Sequence, residues 1–282
     1  MAKGFTVKPR LNLSTVSEKL KNFPTIHFIG IESRRDRIDG FVSMTNQYQI
    51  SNIVPHVFQN YRHGDCNIKF FGPFYTNGFP EGHFGCLTSH LKVLYEWYNT
   101  TDEPYIFVCE DDLSLETVQY WNFTWEEFFK RLPENWDVVQ LCLLRYVGKM
   151  FEFFDPDVHC RNRCWCDWSS AAYLMSRNHV KNLLDTYYDG KTFIYDYLGY
   201  DKNSRWNDLA SPAVETILFT YFTKETKLFT FPLFIEDYTR GSNSTHWSSN
   251  SFNFRDYSRS EILNWWKGRG RTMELDKIFG YL

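Results

Sequence analysis

Along the chain, short apolar runs alternate with segments whose apolar residues recur at helical spacing. Residues 24–31, PTIHFIGI, form the first run, and the polar ESRRDR after it leads into helical spacing through Phe41, Met44 and Tyr48. Between Ile53 and Pro80 the periodicity weakens while Gly, Pro, Asn and aromatics accumulate, which predicts a short strand and loops. Then GHFGCLTSHLKVLYEWYNTT places Leu87, Leu91, Leu94, Tyr95 and Tyr98 on a helix after a glycine turn. Tyr105 to Cys109 are continuously apolar, which does not suit a strand with one wet face and predicts a position inside a sheet covered on both sides. That run ends abruptly in Glu110, Asp111 and Asp112.

Beyond the acids, residues 125–132 predict a short amphipathic helix and WDVVQLCLL (136–144) a buried strand. SSAAYLMS (169–176) predicts a further strand, and RNHVKNLLDTYY a helix with Val180, Leu183, Leu184 and Tyr187 on one face. A polar stretch over 195–212 reads as loop, PAVETILFTYF (212–222) as helix and KLFTFPLFIED (227–237) as strand. This alternation implies an α/β fold: a Rossmann-like, mostly parallel twisted sheet flanked by helices, which takes its ligand beyond the carboxyl ends of the strands. One catalytic unit is expected over 23–238. It lies between an N-terminal extension (1–22) and a region (239–282) holding a Ser/Asn-rich loop and a helix that ends in basic KGRGR.

Composition narrows the function classes. The 282 residues are 43% hydrophobic and 23% charged, enough for one large core. A net charge of −3 and a pI near 6.2 argue against binding driven by nucleic-acid phosphates. No window approaches the ~20 apolar residues of a membrane span, and the first 23 residues lack the apolar core of a signal peptide. The expectation is a soluble, cytoplasmic chain, with peripheral membrane association left open by the basic, Trp-rich C-terminus. Of seven cysteines, Cys86, Cys109 and Cys142 sit in or beside apolar runs and read as small core hydrophobes. His159, Cys160, Cys164 and Cys166 have the right types for zinc, but C-x3-C-x-C departs from the usual pairing, so reduced thiols or a local disulfide are the alternatives.

Capping a following helix needs one acid, whereas Glu110, Asp111 and Asp112 together at a strand end suit a hard divalent cation held with substrate phosphate oxygens. ESRRDR, GCLTSH, FVCEDDLSLE, AAYLMSRNHVKNLL and PAVETILF, in that order across residues 24–238, resemble glycosyltransferase family 25. That family includes bacterial lipopolysaccharide galactosyltransferases and collagen β-galactosyltransferases.

The resemblance implies a GT-A-type fold, a UDP-sugar donor, Mn2+ or Mg2+, a glycan or glycosylated protein acceptor, and inversion at the anomeric carbon. It places Glu110 or Asp111 by the donor ribose and Asp112 on the metal. Glu32 and Arg37 match an acid and an arginine near the first strand, with Arg34 beside them as a further source of positive charge for the donor. Ser89 and His90 match a Ser-His pair in the donor site. Glu215 stands where the family more often has Asp and is the candidate base, with Asp237 competing, and His246 is a candidate metal ligand from a C-terminal loop. Two other classes fit the same acids: a non-catalytic nucleotide-sugar or glycan-binding domain, and a metal-dependent phosphoryl-transfer enzyme or nuclease.

Overall fold

The computed structural model describes residues 16–59, 67–71, 81–144, 161–162, 168–196, 214–219, 227–237, 249–272 and 274–279. Helix α1 (Val16–Lys19) leads to β1 (Ile26–Ile31), a 3-10 turn (Glu32–Arg34) and α2 (Arg35–Gln47). Strands β2 (Ile53–Phe58) and β3 (Asn67–Phe71) precede the long α3 (Glu81–Thr100), which feeds β4 (Tyr105–Glu110). Next come β5 (Leu113–Ser114), a 3-10 segment (Glu116–Tyr120), α4 (Trp125–Lys130), β6 (Val138–Cys142) and β7 (Arg161–Asn162). β8 (Ala172–Ser176) runs straight into α5 (Arg177–Tyr187), followed by β9 (Thr192–Asp196), α6 (Val214–Leu218), β10 (Leu228–Glu236), α7 (Ser249–Lys267) and α8 (Leu275–Phe279).

The main sheet runs β2-β1-β4-β8-β6-β10-β5, with β7 also against β10. β1 is parallel to β2 and β4, and β6 is parallel to β10. β8, however, is antiparallel to both neighbours, so the expected mostly parallel sheet is in fact mixed. The correction has a plain cause: a continuous apolar run specifies burial on both faces, not the direction in which the chain crosses the sheet. Reversal of β8 brings its entry, Ser169 to Ala171, beside the end of β4, where Cys109 pairs with Ala172 and Glu110 N donates to Ala171 O at 3.0 Å. β3 and β9 form a separate parallel pair; neither β3 nor the extension of β9 through Tyr195 into the expected loop stands out in the sequence pattern.

Alternation along the strands divides the core between the two faces. Ile106 and Val108 of β4 join Ile29, Tyr173 and Met175 on one face, above Phe84, Leu87, Leu91 and Leu94 of α3. Phe107 and Cys109 join Phe28, Ala172 and Leu174 on the other, with Phe41, Trp121, Phe128 and Trp266. Both sets are buried, which is why the sequence of β4 shows no polar alternation. β2 is the edge: Pro55 lies within it, opposite Phe28, and Val54 and Val57 are exposed. Pro232 falls inside β10, where the ladder with β6 shifts register between Thr230 and Phe234. Its carbonyl accepts a hydrogen bond from Trp266 Nε1 at 2.9 Å, so α7 packs on the sheet. At the other end of the chain, Lys19 of α1 donates to Val118 O and Gln119 O.

Candidate functional site

The turn after β4 is fastened to three strands through its backbone. Glu110 N reaches Ala171 O before β8, Asp111 N donates to Ile29 O of β1 at 3.0 Å, and Asp112 O accepts from Asp237 N, just past β10, at 2.5 Å. Three consecutive acids are thereby fixed at one end of the sheet. Gly30 permits the approach of β1 from beneath: a Cβ there would lie 2.8 Å from Ile38 Cγ1 and 3.6 Å from Asp111 Oδ2.

Arg37, on the first turn of α2, supplies the positive charge that the acids require. Its Nη2 lies 2.5 Å from Asp111 Oδ1 and 2.8 Å from Asp112 Oδ2, and the three side chains are only 7%, 7% and 9% exposed. One guanidinium does not satisfy two carboxylates, and Asp111 Oδ2 and Asp112 Oδ1 are buried with no hydrogen-bond partner. Burial raises the Asp111 carboxyl to about 7, with Arg37 opposing and Asp112 and Glu110 adding to the rise. Asp112 moves in the same direction, again through burial, with Arg37 and Arg255 of α7 opposing. Glu110 goes the other way: burial disfavours its charge, but the His90 ring, the Ser170 hydroxyl and Arg37 outweigh that and hold it near 2.

A second group of acids converges on Ser169. Its Oγ donates to Glu236 Oε1 at 2.5 Å, its N donates to Glu215 Oε1 at 2.9 Å, and its carbonyl accepts from Gln140 Nε2 at 2.8 Å. To make these bonds Ser169 adopts φ 99°, a strained conformation for a residue with a Cβ. Glu236 is buried, and burial together with the Asp112 charge pushes its carboxyl up to about 8. Five carboxylates thus approach one end of the sheet, and Arg37, Arg255, Arg34 and the His90 ring act on them from among the described residues.

The residues singled out by sequence divide accordingly. Arg37, His90, Glu110, Asp111 and Asp112 come together, and Glu215 joins them through Ser169. Glu32 is exposed on the turn after β1, and Arg34 pairs bidentately with Asp36, both bonds 2.9 Å. The Ser89 hydroxyl donates to Gly85 O within its own helix. Asp237 contributes its backbone N–H. His246, the cysteine cluster 160–166 and most of the 195–212 loop lie outside the described residues.

Sequence reasoning missed Glu236, Ser169, Ser170 and the placement of Cys86, whose Sγ lies 3.8 Å from Glu110 Oε1. Glu236 had a usable signal, since it is the last residue of an apolar strand just as Glu110 is. Ser169 had none, because its backbone conformation is set by contacts distant in sequence.

No protein-family model and no curated protein matches this chain. Among solved structures it is similar to A197 from STIV, at 9% sequence identity over 75% of this chain and 84% of that one. The TM-score is 0.36, and so loose a superposition carries no argument about activity.

Proposed function

We propose that this chain is a GT-A-type, inverting glycosyltransferase that uses Mn2+ or Mg2+ to move a hexose, galactose or glucose, from a UDP-sugar to a hydroxyl of a glycan or glycosylated protein. One observation carries the reading: Asp111 Oδ2 and Asp112 Oδ1 are buried, unpartnered carboxylate oxygens at the carboxyl end of β4. A polar atom in that condition costs about 1–3 kcal/mol, more if charged, so the arrangement favours binding of a cation by these oxygens. Carboxylate oxygens are the donors a hard divalent ion takes, and Asp112 is the assigned ligand. When bound, such an ion supplies Lewis-acid stabilisation of the departing nucleoside diphosphate.

The chain's own groups do the rest. Arg37 holds Asp111 and Asp112 in place and lowers the repulsion between them. Glu215, partly exposed and held by Ser169 N–H, takes the proton from the acceptor hydroxyl. Glu236 keeps its proton to about pH 8 and is the poorer base at neutrality.

The test is transfer and donor hydrolysis by Asp112→Asn and Glu215→Gln. Asp112→Asn is expected to lose both activities while retaining its fold. Glu215→Gln is expected to lower kcat by roughly 10²–10⁴. Turnover by Asp112→Asn close to that of the unaltered protein refutes the assignment. UDP binding without turnover by the unaltered protein with any donor identifies a binding domain instead, and cleavage of phosphate esters with indifference to UDP identifies phosphoryl transfer.

A further inference from the structure

Beside Asp111 and Asp112, on the α3 side of β4, lies a set of groups to which the mechanism proposed above gives no step. Cys86 and His90 stand four residues apart on α3, and so on one face of the helix, opposite the end of β4. Glu110 Oε1 is 3.4 Å from His90 Nε2 and 3.8 Å from Cys86 Sγ, and one ligand atom from each residue lies within 4.8 Å of the others. His90 is fully buried, and its Nε2 makes no hydrogen bond.

We infer that Cys86, His90 and Glu110 form a zinc site with three protein ligands. Zinc bond lengths of about 2.0 Å to oxygen, 2.05 Å to nitrogen and 2.3 Å to sulfur place tetrahedral partners roughly 3.3 Å (N to O) and 3.5 Å (S to O) apart. The separations of these two pairs are 3.4 and 3.8 Å, within a few tenths of an ångström of those values, and Cys86 Sγ and His90 Nε2 lie within 4.8 Å of each other. A thiol, an imidazole and a carboxylate suit zinc rather than the all-oxygen preference of Mg2+.

The surrounding groups orient the ligands. Tyr173 Oη lies 2.9 Å from His90 Nδ1 and holds the ring in place, and when the hydroxyl accepts from Nδ1–H, Nε2 is left as the ligand. Ser170 Oγ donates to Glu110 Oε1 at 2.6 Å. Cys86 and Glu110 are both partly exposed, so an ion has access, and a fourth position is left for water or another ligand. The inference rests on these three side chains alone; its failure leaves the sugar-transfer reading intact, and the reverse also holds.

The test uses the whole chain, stripped with a chelator and titrated with Zn2+ against a chromophoric chelator, and in parallel with Co2+. Cys86→Ser is the main variant because it is nearly isosteric; its urea midpoint without metal serves as the fold control. The expected result is one fewer zinc bound than by the unaltered protein, or at least about 100-fold weaker binding of that equivalent, beyond what a lost outer-shell partner costs. Cobalt is expected to show a thiolate charge-transfer band that Cys86→Ser removes. Cysteines 160, 164 and 166 are present in both proteins, so only the difference between them counts. Equal zinc stoichiometry and affinity in the two, or a cobalt spectrum without a Cys86-dependent band, overturns the inference.

Discussion

Replacing Arg37 with methionine keeps most of the aliphatic stem and removes the charge that faces Asp111 and Asp112. Removing one partner of a buried ion pair costs about 3–5 kcal/mol, because the other charge is left without compensation. Here two carboxylates are abandoned, but they have an escape. Asp111 already titrates near 7, and Asp112 is raised by the same burial. For an acid raised in the folded state, stability is full below the unfolded value near 3.8 and is lost as pH rises through the folded value. Arg37→Met moves both folded values further up and deepens that loss.

Urea denaturation of Arg37→Met without divalent ions is therefore expected to show a deficit of about 3–5 kcal/mol at pH 8. At pH 5.5, where protonation relieves the repulsion, the deficit should shrink to less than about 2 kcal/mol. If the variant is unfolded at pH 8, the triple change Arg37→Met, Asp111→Asn, Asp112→Asn restores the fold, since charge and countercharge leave together. A deficit under about 1 kcal/mol at pH 8, or an equal deficit at both pH values, refutes Arg37 as the buried countercharge.

Other consequences are equally direct. Ser169→Ala and Ser169→Gly both lose the hydroxyl that reaches Glu236, but only glycine relieves φ 99°, so the glycine variant should be more stable than the alanine variant by about 1–2 kcal/mol in urea; equal midpoints contradict the strain. His27 is held down at about 4, first by burial and then by His56, whose other ring nitrogen lies 3.4 Å from Glu96. A depressed histidine contributes stability above the unfolded value of 6.5 that is lost as pH falls toward 4, a gap worth at most about 3 kcal/mol. His27→Gln is therefore expected to flatten the stability profile between pH 6.5 and 4, and an unchanged slope refutes the attribution.

What was legible in the sequence follows from what local patterns encode. β4 stood out because both of its faces are buried, Ile106 and Val108 on one and Phe107 and Cys109 on the other. α3 and α5 stood out because each has one apolar face. The direction of β8 was not legible, because Ala172–Ser176 is equally apolar whichever way it crosses the sheet. The acid triplet was read as a demand for positive charge, and Arg37 meets part of that demand from within the chain. Asp237 was a candidate from KLFTFPLFIED and Glu236 was not, although the last residue of the strand, rather than the one after it, carries the buried carboxyl. Trp266 and α7 read as an extension beyond the core, because nothing local reveals that an indole N–H meets a carbonyl freed where Pro232 interrupts the ladder.

The central claim is that the acids at the end of β4 hold a divalent ion that in turn holds a nucleoside diphosphate. A thermal melt of the whole chain with UDP, with and without Mn2+, tests it most directly. Ligand at 100 times its Kd stabilises by about 2.7 kcal/mol, so UDP should raise Tm by several degrees when Mn2+ is present and not when it is absent. Asp112→Asn should erase that increment while Cys86→Ser keeps it. A UDP shift that is independent of metal, or no shift under either condition, contradicts the account.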